Sequence, residues 1–255
     1  MNAVAARSGH AGGHRPGRVG SDWYAAGKRA ADLIFSSILL APALPLIFAS
    51  MILVKLSSRG PAVYTQVRVG RGGRSFVIYK VRTMRNDCEK LTGPRWANLR
   101  RDPHVTAVGS FLRRTHLDEL PQLFNVFRGD MTLVGPRPER PEFVSQLALA
   151  IPHYQDRLDT RPGVTGLAQV LLPPDTDVNS VRSKLTYDLF YLRNAGLWLD
   201  LKIIVCTLLK VLCVPREFSR RFLRVPGHAA IEGAYEALSI AEPSPRDAME
   251  MQAAF

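Results

Sequence analysis

The stretch from Leu33 to Val54 constrains this chain more than any other. It holds 22 residues without a single charge, enough helix to cross a hydrocarbon core of about 30 Å. Pro42 and Pro45 interrupt it. A proline in a helix interior removes a hydrogen bond, clashes with a preceding carbonyl and costs about 3 kcal/mol. Three structures accommodate such a run: a core helix of a soluble domain, a kinked crossing, and a helix that enters a membrane, breaks at the prolines and returns. Flanking charge favours the last. Arg15, Arg18, Lys28 and Arg29 precede the run, and Lys55, Arg59, Arg68, Arg71 and Arg74 follow it. Basic residues concentrate on the cytoplasmic side, and a re-entrant hairpin keeps both flanks there. The carbonyls freed at the break then need local partners, since lipid offers none.

The rest of the 255 residues suffices for one domain with a sizeable core. Lys+Arg exceeds Asp+Glu by 12, and 46% of the chain is hydrophobic. These values exclude an acidic solvating chain and wholesale disorder. They favour a polyanionic partner: nucleic acid, anionic lipid or a phosphorylated substrate. Cys88, Cys206 and Cys213 form no C-x-x-C pair, which argues against a disulfide scaffold or zinc ribbon and fits a reducing compartment. Residues 1–27 lack an apolar period and read as a flexible basic tail, not as a signal peptide.

Beyond the apolar run the period changes. Val63–Arg68 and Phe76–Arg82 alternate and are rich in β formers, with Gly70-Arg71-Gly72-Gly73 between them. This predicts a hairpin. The glycines lack the spacing of a phosphate loop, and a turn explains them better. Residues 86–104 read as a polar loop broken by Gly93-Pro94 and Asp102-Pro103.

Residues 105–130 carry the densest signal. Val108, Phe111 and Leu112 mark an amphipathic turn ending at Arg113-Arg114. Leu117, Leu120, Leu123, Phe124 and Phe127 then fall at helical spacing. Pro121 is tolerated only near a helix start, so the helix is expected to begin near residues 116–118. That places Asp118 and Glu119 in its first turn, where acids complement the helix dipole. Further on, Pro136 and Pro138 hold Arg137 in a stiff, extended backbone. A fixed guanidinium suits two-point phosphate binding, although a rigid loop needs no such purpose.

Leu197–Val214 is a second apolar helix carrying Asp200, Lys202 and Lys210. It suits either an interfacial helix with snorkelling lysines or a soluble core. Arg216, Arg220, Arg221 and Arg224, interleaved with Phe218 and Phe222, form a basic stretch suited to anionic membrane lipid. Residues 227–255 read as an acidic tail.

Several of these segments, taken in order, resemble the bacterial sugar transferase family, the monotopic phosphoglycosyl transferases. Lys28-Arg29-Ala30-Ala31-Asp32 resembles the start of the family's re-entrant helix. Gln66-Val67-Arg68-Val69-Gly70 and Tyr79-Lys80-Val81-Arg82-Thr83-Met84 resemble its hairpin. Leu117-Asp118-Glu119-Leu120-Pro121-Gln122-Leu123-Phe124-Asn125-Val126 resembles its catalytic segment. Val134-Gly135-Pro136-Arg137-Pro138-Glu139, Arg161-Pro162-Gly163-Val164-Thr165-Gly166 and Leu199-Asp200-Leu201-Lys202 follow in family order. The likeness runs from about Lys28 to Leu212.

The resemblance implies a fold, a reaction and a site. The fold is α/β, mostly helical with a small β-hairpin or sheet. It would comprise a flexible tail (1–27), a re-entrant membrane hairpin (28–56), a catalytic domain with interfacial helices (57–214), and a basic segment with an acidic tail (215–255). The reaction moves a sugar-1-phosphate from a UDP-sugar to a polyprenyl phosphate, undecaprenyl phosphate in bacteria, and releases UMP. It needs magnesium and passes through a phosphosugar bound to an aspartate. Asp118 matches that nucleophile and Glu119 its dyad partner, the two also being the expected magnesium ligands. Lys80, Arg113, Pro136, Arg137, Pro138 and Asp188 match substrate-binding positions. The implied location is the bacterial inner membrane with the catalytic domain facing the cytoplasm, at the first membrane step of glycan synthesis, with a homodimer as a further expectation. Only 27 residues precede Lys28, as expected of the family's short form.

Two departures stand out. The family's helix break reads Ser-Pro, whereas Leu44 precedes Pro45 here, leaving Ser36 or Ser37 as the candidate partner for a freed carbonyl. His116 stands where the family often has Ser, and a capping role is expected for it. Two rival classes remain beside the enzyme: a basic nucleic-acid-binding protein, disfavoured because no such signature is present, and a membrane-anchored scaffold without catalysis.

Overall fold

The structure, a computed structural model, describes residues 22–86, 104–175 and 177–241. In chain order these form α1 (Asp22–Ser57), β1 (Val63–Val69), β2 (Ser75–Val81), α2 (Ala107–Thr115), α3 (Gln122–Arg128), β3 (Thr132–Val134) and α4 (Pro141–Ala150). There follow β4 (Gly163–Thr165), α5 (Leu167–Leu171), α6 (Val178–Arg193), α7 (Leu197–Val211), α8 (Arg216–Leu223) and α9 (His228–Ala241). The mostly helical fold with little sheet is as expected. Most of the loop expected at 86–104, Cys88, and the tail residues before 22 and after 241 lie outside the described residues.

The hairpin lies where the alternation put it. β1 and β2 pair antiparallel, from Val63 opposite Val81 to Val69 opposite Ser75. Gly72 takes φ 64° at the turn, a conformation glycine adopts without steric cost. β3 and β4 form a separate parallel pair, with Thr132 opposite Gly163 and Val134 opposite Thr165.

α1 differs from expectation in two ways. It begins at Asp22, so the end of the expected tail is helical. It also runs without interruption through Pro42 and Pro45, where a break was expected. The burial pattern gives the reason. Tyr24, Asp32, Ser36, Ala43, Ile47, Ser50 and Val54 are buried on one face that continues past both prolines. Pro42 and Pro45 themselves lie on the exposed face. The domain therefore supports the inner side of the helix across the positions where hydrogen bonds are lost. Ser36 and Ser37 do not serve the freed carbonyls, because both hydroxyls donate to the carbonyl of Leu33, at 3.3 and 2.7 Å.

Polar contacts bind α1 at both ends. Near its start, Tyr24 Oη and Lys28 Nζ donate to Asp200 Oδ2 at 3.1 and 2.6 Å, and Tyr191 Oη donates to Asp200 Oδ1 at 2.6 Å. Arg29 caps the end of α3, donating to the carbonyls of Val126 and Phe127. Asp32 Oδ1 accepts from the Leu133 amide at 3.0 Å. Just past the far end, Arg82 donates to the carbonyls of Ser58 and Arg59. The opposite face of α1 exposes Ile34, Phe35, Ile38, Leu39, Phe48 and Ile52. Among the described residues, this one helix is long and apolar enough to cross a membrane.

The core gathers Ala43 and Ile47 of α1, Ile78, Leu123, Val126, Met131, Tyr187 and Ile203. It also takes Leu223 and Ile231, while Tyr235 joins a second cluster with Leu147, Tyr154 and Leu185. α8 and α9 are thus packed elements, where the sequence suggested a basic segment and a tail. α7 has a buried side, with Ile203 and Cys206, and an exposed apolar side, with Trp198, Leu201 and Leu208.

Candidate active site

Pro121 shapes the segment that carries the two acids. It has no N–H to reach the Leu117 carbonyl one α-turn back. That carbonyl instead accepts the Leu120 amide in a tighter i−3 bond, 3.4 Å. Leu117–Glu119 is consequently a 3₁₀ turn, and the α-helix starts at Gln122 with Pro121 as its N-cap. Asp118 and Glu119 therefore precede α3, not within its first turn as the spacing predicts. His116 does cap, through its backbone: at φ 56° it closes α2, and its side chain makes no capping bond.

Asn125 fixes this segment to the hairpin. Its Nδ2 donates to the Val77 carbonyl at 2.7 Å and its Oδ1 accepts from the Tyr79 amide at 3.2 Å. One side-chain amide thus occupies the edge of β2 as a neighbouring strand would, and brings Lys80 to the acids. Lys80 Nζ lies 2.8 Å from Glu119 Oε1. Arg113, from the last turn of α2, donates to Thr83 Oγ1 at 2.9 Å and acts electrostatically on Asp118.

Arg137 approaches from the other side. The Gly135 amide donates to Thr165 O, and the Gly163 amide to Pro136 O. A Cβ on Gly163 would stand 2.2 Å from the Gly135 nitrogen, so this approach requires glycine. Arg137 Nη2 then reaches the same Glu119 Oε1, at 2.7 Å. Pro136 and Pro138 are buried beside it. They stiffen the backbone, and the Pro138 carbonyl accepts Arg68 Nη1.

The two acids are poised oppositely. Burial, then the neighbouring Glu119, pushes Asp118 up to about 6, against the pull of Lys80, Arg113 and Arg137. Burial would raise Glu119 as well, but Arg137 and Lys80 hold it well below the usual carboxylate range. Asp118 is thus a buried carboxylate that ionises near neutrality amid three cations. Such a group suits nucleophilic attack on a phosphorus whose oxygens the cations neutralise.

Lys80, Arg113, Asp118, Glu119 and Arg137 converge as the sequence suggested. Asp188 makes no direct contact with them among the described residues, but it lines one cleft with Arg137. It is buried on α6, where its Oδ2 pairs with Arg157 Nη2 at 2.8 Å. The same Nη2 donates to the Arg137 carbonyl at 2.9 Å, and Nη1 donates to Tyr154 Oη. Asp188 thus stands behind the backbone of Arg137 and supports it. Sequence reasoning missed Arg157, which lies in an irregular polar stretch with no periodic signal.

The chain belongs to the bacterial sugar transferase family, whose model matches residues 23–214. It is 42% identical over 189 residues to a UDP-N-acetylgalactosamine-undecaprenyl-phosphate N-acetylgalactosaminephosphotransferase of Aeromonas hydrophila, covering 74% of this chain and 44% of that protein. It is 43% identical over 194 residues to a UDP-glucose:undecaprenyl-phosphate glucose-1-phosphate transferase of Caulobacter vibrioides, covering 75% and 72%. It is 36% identical over 196 residues to an exopolysaccharide production protein of Rhizobium leguminosarum, covering 75% and 98%. The chain thus spans less than half of the Aeromonas protein and nearly all of the Rhizobium one. Family membership and the apolar outer face of α1 together make this a membrane-associated protein.

Proposed function

We propose that this protein transfers a sugar-1-phosphate from a UDP-sugar to a polyprenyl phosphate, undecaprenyl phosphate in a bacterial membrane, at the first lipid-linked step of a surface glycan. The observation that carries this is the opposite poise of Asp118 and Glu119 beneath Lys80 and Arg137. A carboxylate oxygen of Asp118 attacks the sugar-bearing phosphorus. An O–P bond forms, the diphosphate bridge breaks, and UMP leaves with the bridging electron pair. A phosphate oxygen of the lipid then attacks the same phosphorus and frees Asp118, giving a polyprenyl diphosphate sugar. Two positioned displacements replace one difficult transfer. Glu119 holds Lys80 and Arg137 against the phosphates, and Arg113 adds a third cation.

Magnesium typically takes one or two carboxylates together with substrate phosphates. Asp118 and Glu119 supply that donor set, with no third His, Cys, Asp or Glu grouped beside them among the described residues. These two residues would hold the ion, which supplies charge neutralisation on the diphosphate.

Both ends of α1 bond to the same catalytic domain, which supports a helix that stays on one membrane face. The nucleotide sugar is cytosolic, so that face is the cytoplasmic one. The outer sides of α1 and α7 meet lipid there. Arg221 and Arg224, on the exposed side of α8 with Phe218 and Phe222, meet anionic headgroups. Arg220 does not join them, because it donates to Tyr187 Oη at 3.0 Å.

The test is intact-protein mass spectrometry after mixing with UDP-glucose or UDP-N-acetylgalactosamine, without lipid. A phosphosugar adduct on the wild type, absent from Asp118→Asn, is expected. An adduct of equal yield on Asp118→Asn overturns the nucleophile.

A further inference from the structure

The candidate site is assembled from two stretches of chain. The dyad leads into α3, and Asn125 of that helix ties it to the β2 edge beside Lys80. Arg137 instead follows β3. The two stretches meet where Lys80 Nζ and Arg137 Nη2 share Glu119 Oε1, at 2.8 and 2.7 Å. That meeting requires a fixed relation between α3 and β3. The connector between them is short, Gly129, Asp130 and Met131. Its three amides all donate to the Asn125 carbonyl, at 3.1, 3.0 and 3.2 Å.

α1 holds both ends of this connector with opposite chemistry. Arg29 and Asp32 are neighbours on the helix surface, one turn apart. The Arg29 guanidinium donates to the Val126 and Phe127 carbonyls at 2.8 and 2.9 Å, where the end of α3 leaves acceptors to be satisfied. Asp32 Oδ1 accepts the Leu133 amide at 3.0 Å, in the middle of β3. A cation on carbonyls and an anion on an amide thus grip the turn from its two sides.

Asp32 is the more costly of the two. It is buried, and among the described residues its hydrogen bond is to that amide and it makes no ion pair. Burying a carboxylate without a cationic partner is unfavourable, and α1 packs elsewhere through Ala43 and Ile47 at no such cost. Packing alone therefore does not account for Asp32, whereas the strand it holds does. β3 runs directly into Gly135-Pro136-Arg137-Pro138. The two prolines leave that backbone little slack, so a shift at Leu133 is passed on to the guanidinium.

We propose that Asp32 is a positioning residue for Arg137, and that with Arg29 it sets the spacing between this cation and the dyad. This rests on the transferase reading above and deepens it. UDP serves as the diphosphate probe, measured by calorimetry on the full chain in detergent, with a melting curve for every variant. Asp32→Ala is expected to weaken UDP by about fivefold or more, and Asp32→Asn, which keeps an oxygen for the amide, to recover most of the loss. With Arg137→Ala already present, Asp32→Ala should add less than about twofold, because a positioning residue acts through the group it positions. Wild-type affinity in Asp32→Ala, or an equal loss in both backgrounds, overturns the assignment. Should Asp32→Ala lose its thermal transition, Asp32→Ser, whose hydroxyl stops one bond short of the amide, takes its place. Amide hydrogen exchange of the ligand-free protein gives a readout independent of the nucleotide. Asp32→Ala should accelerate exchange at residues 132–137 and leave the β1–β2 hairpin unchanged, and acceleration of both or of neither overturns the assignment. A wild type that does not bind UDP overturns the transferase reading, and the exchange result then still decides whether Asp32 holds the strand that carries Arg137.

Discussion

Asp118 and Glu119 are adjacent in the chain and titrate in opposite directions. Burial acts on both, but Glu119 takes Lys80 and Arg137 on one oxygen, while Asp118 has no direct ion pair among the described residues to offset it. Divergent environments of this kind divide labour between neighbouring acids: one stays charged as an anchor for cations, and the other gains or loses its proton near neutrality.

The pH profile of kcat/KM for the UDP-sugar should show it. That parameter reports the free enzyme, and in the proposed reaction only ionised Asp118 attacks. With its pKa at about 6, activity should be level above pH 7 and fall about tenfold per pH unit well below 6. A profile level down to pH 4.5 would assign the nucleophile elsewhere.

Asp118→Asn should abolish turnover and also stabilise the fold. A carboxyl whose pKa rises from 3.8 to about 6 on folding binds its proton more tightly in the folded state. The wild type then loses stability as pH rises from about 4 through 6, by up to about 3 kcal/mol. Asparagine removes that loss. Melting curves of the two proteins should diverge at pH 8, with the variant higher, and converge near pH 3.5. A lower Tm for Asp118→Asn at pH 8 contradicts the environment described for Asp118.

Arg137→Lys keeps the charge and loses the planar fork. The Arg157 bond to its carbonyl and the two flanking prolines leave the new side chain little room to adjust. We expect kcat/KM to fall by about tenfold or more, equivalent to about 1.4 kcal/mol. Unchanged kinetics would reduce Pro136 and Pro138 to turn formers.

Asp188→Ala should act through folding. It leaves Arg157 buried and unpaired, at a cost of roughly 3–5 kcal/mol. Asp188→Asn, which keeps an acceptor for Arg157, should lose less stability and retain more activity. If Asp188→Ala melts like the wild type yet loses UDP-sugar affinity, Asp188 touches substrate after all.

Cysteines at Ala26 and Arg74, both exposed, test the topology in a background without Cys88, Cys206 and Cys213. Neither should react with an impermeant thiol reagent outside intact cells, and both should react after permeabilisation. External labelling of position 26 alone would establish a crossing.

The legibility of the sequence followed the range of each interaction. The hairpin was readable because alternation and glycines are local. Lys80, Asp118, Glu119 and Arg137 were readable because each sits in a compact family motif. The helix start was misplaced because hydrophobic spacing reports a period and Pro121 acts on one particular carbonyl. Arg157 was illegible as a site residue, since its role arises from a carbonyl 20 positions away. α9 escaped because its buried side chains among the described residues, Ile231 and Tyr235, are too few to impose a visible pattern.

The buried stripe of α1 has a consequence for biogenesis. Ala43 and Ile47 belong to the same core as Leu123, Tyr187 and Ile203, and Asp32 holds the strand that leads to Arg137. The segment with the apolar outer face is thus also part of the core beside which the site residues gather, and it is synthesised before the rest of that domain. The core is therefore complete only with α1 in place. Cutting the chain after Val54 would not yield a water-soluble enzyme but an incomplete core, and the intact chain carries that core and its exposed apolar helix face as one inseparable unit.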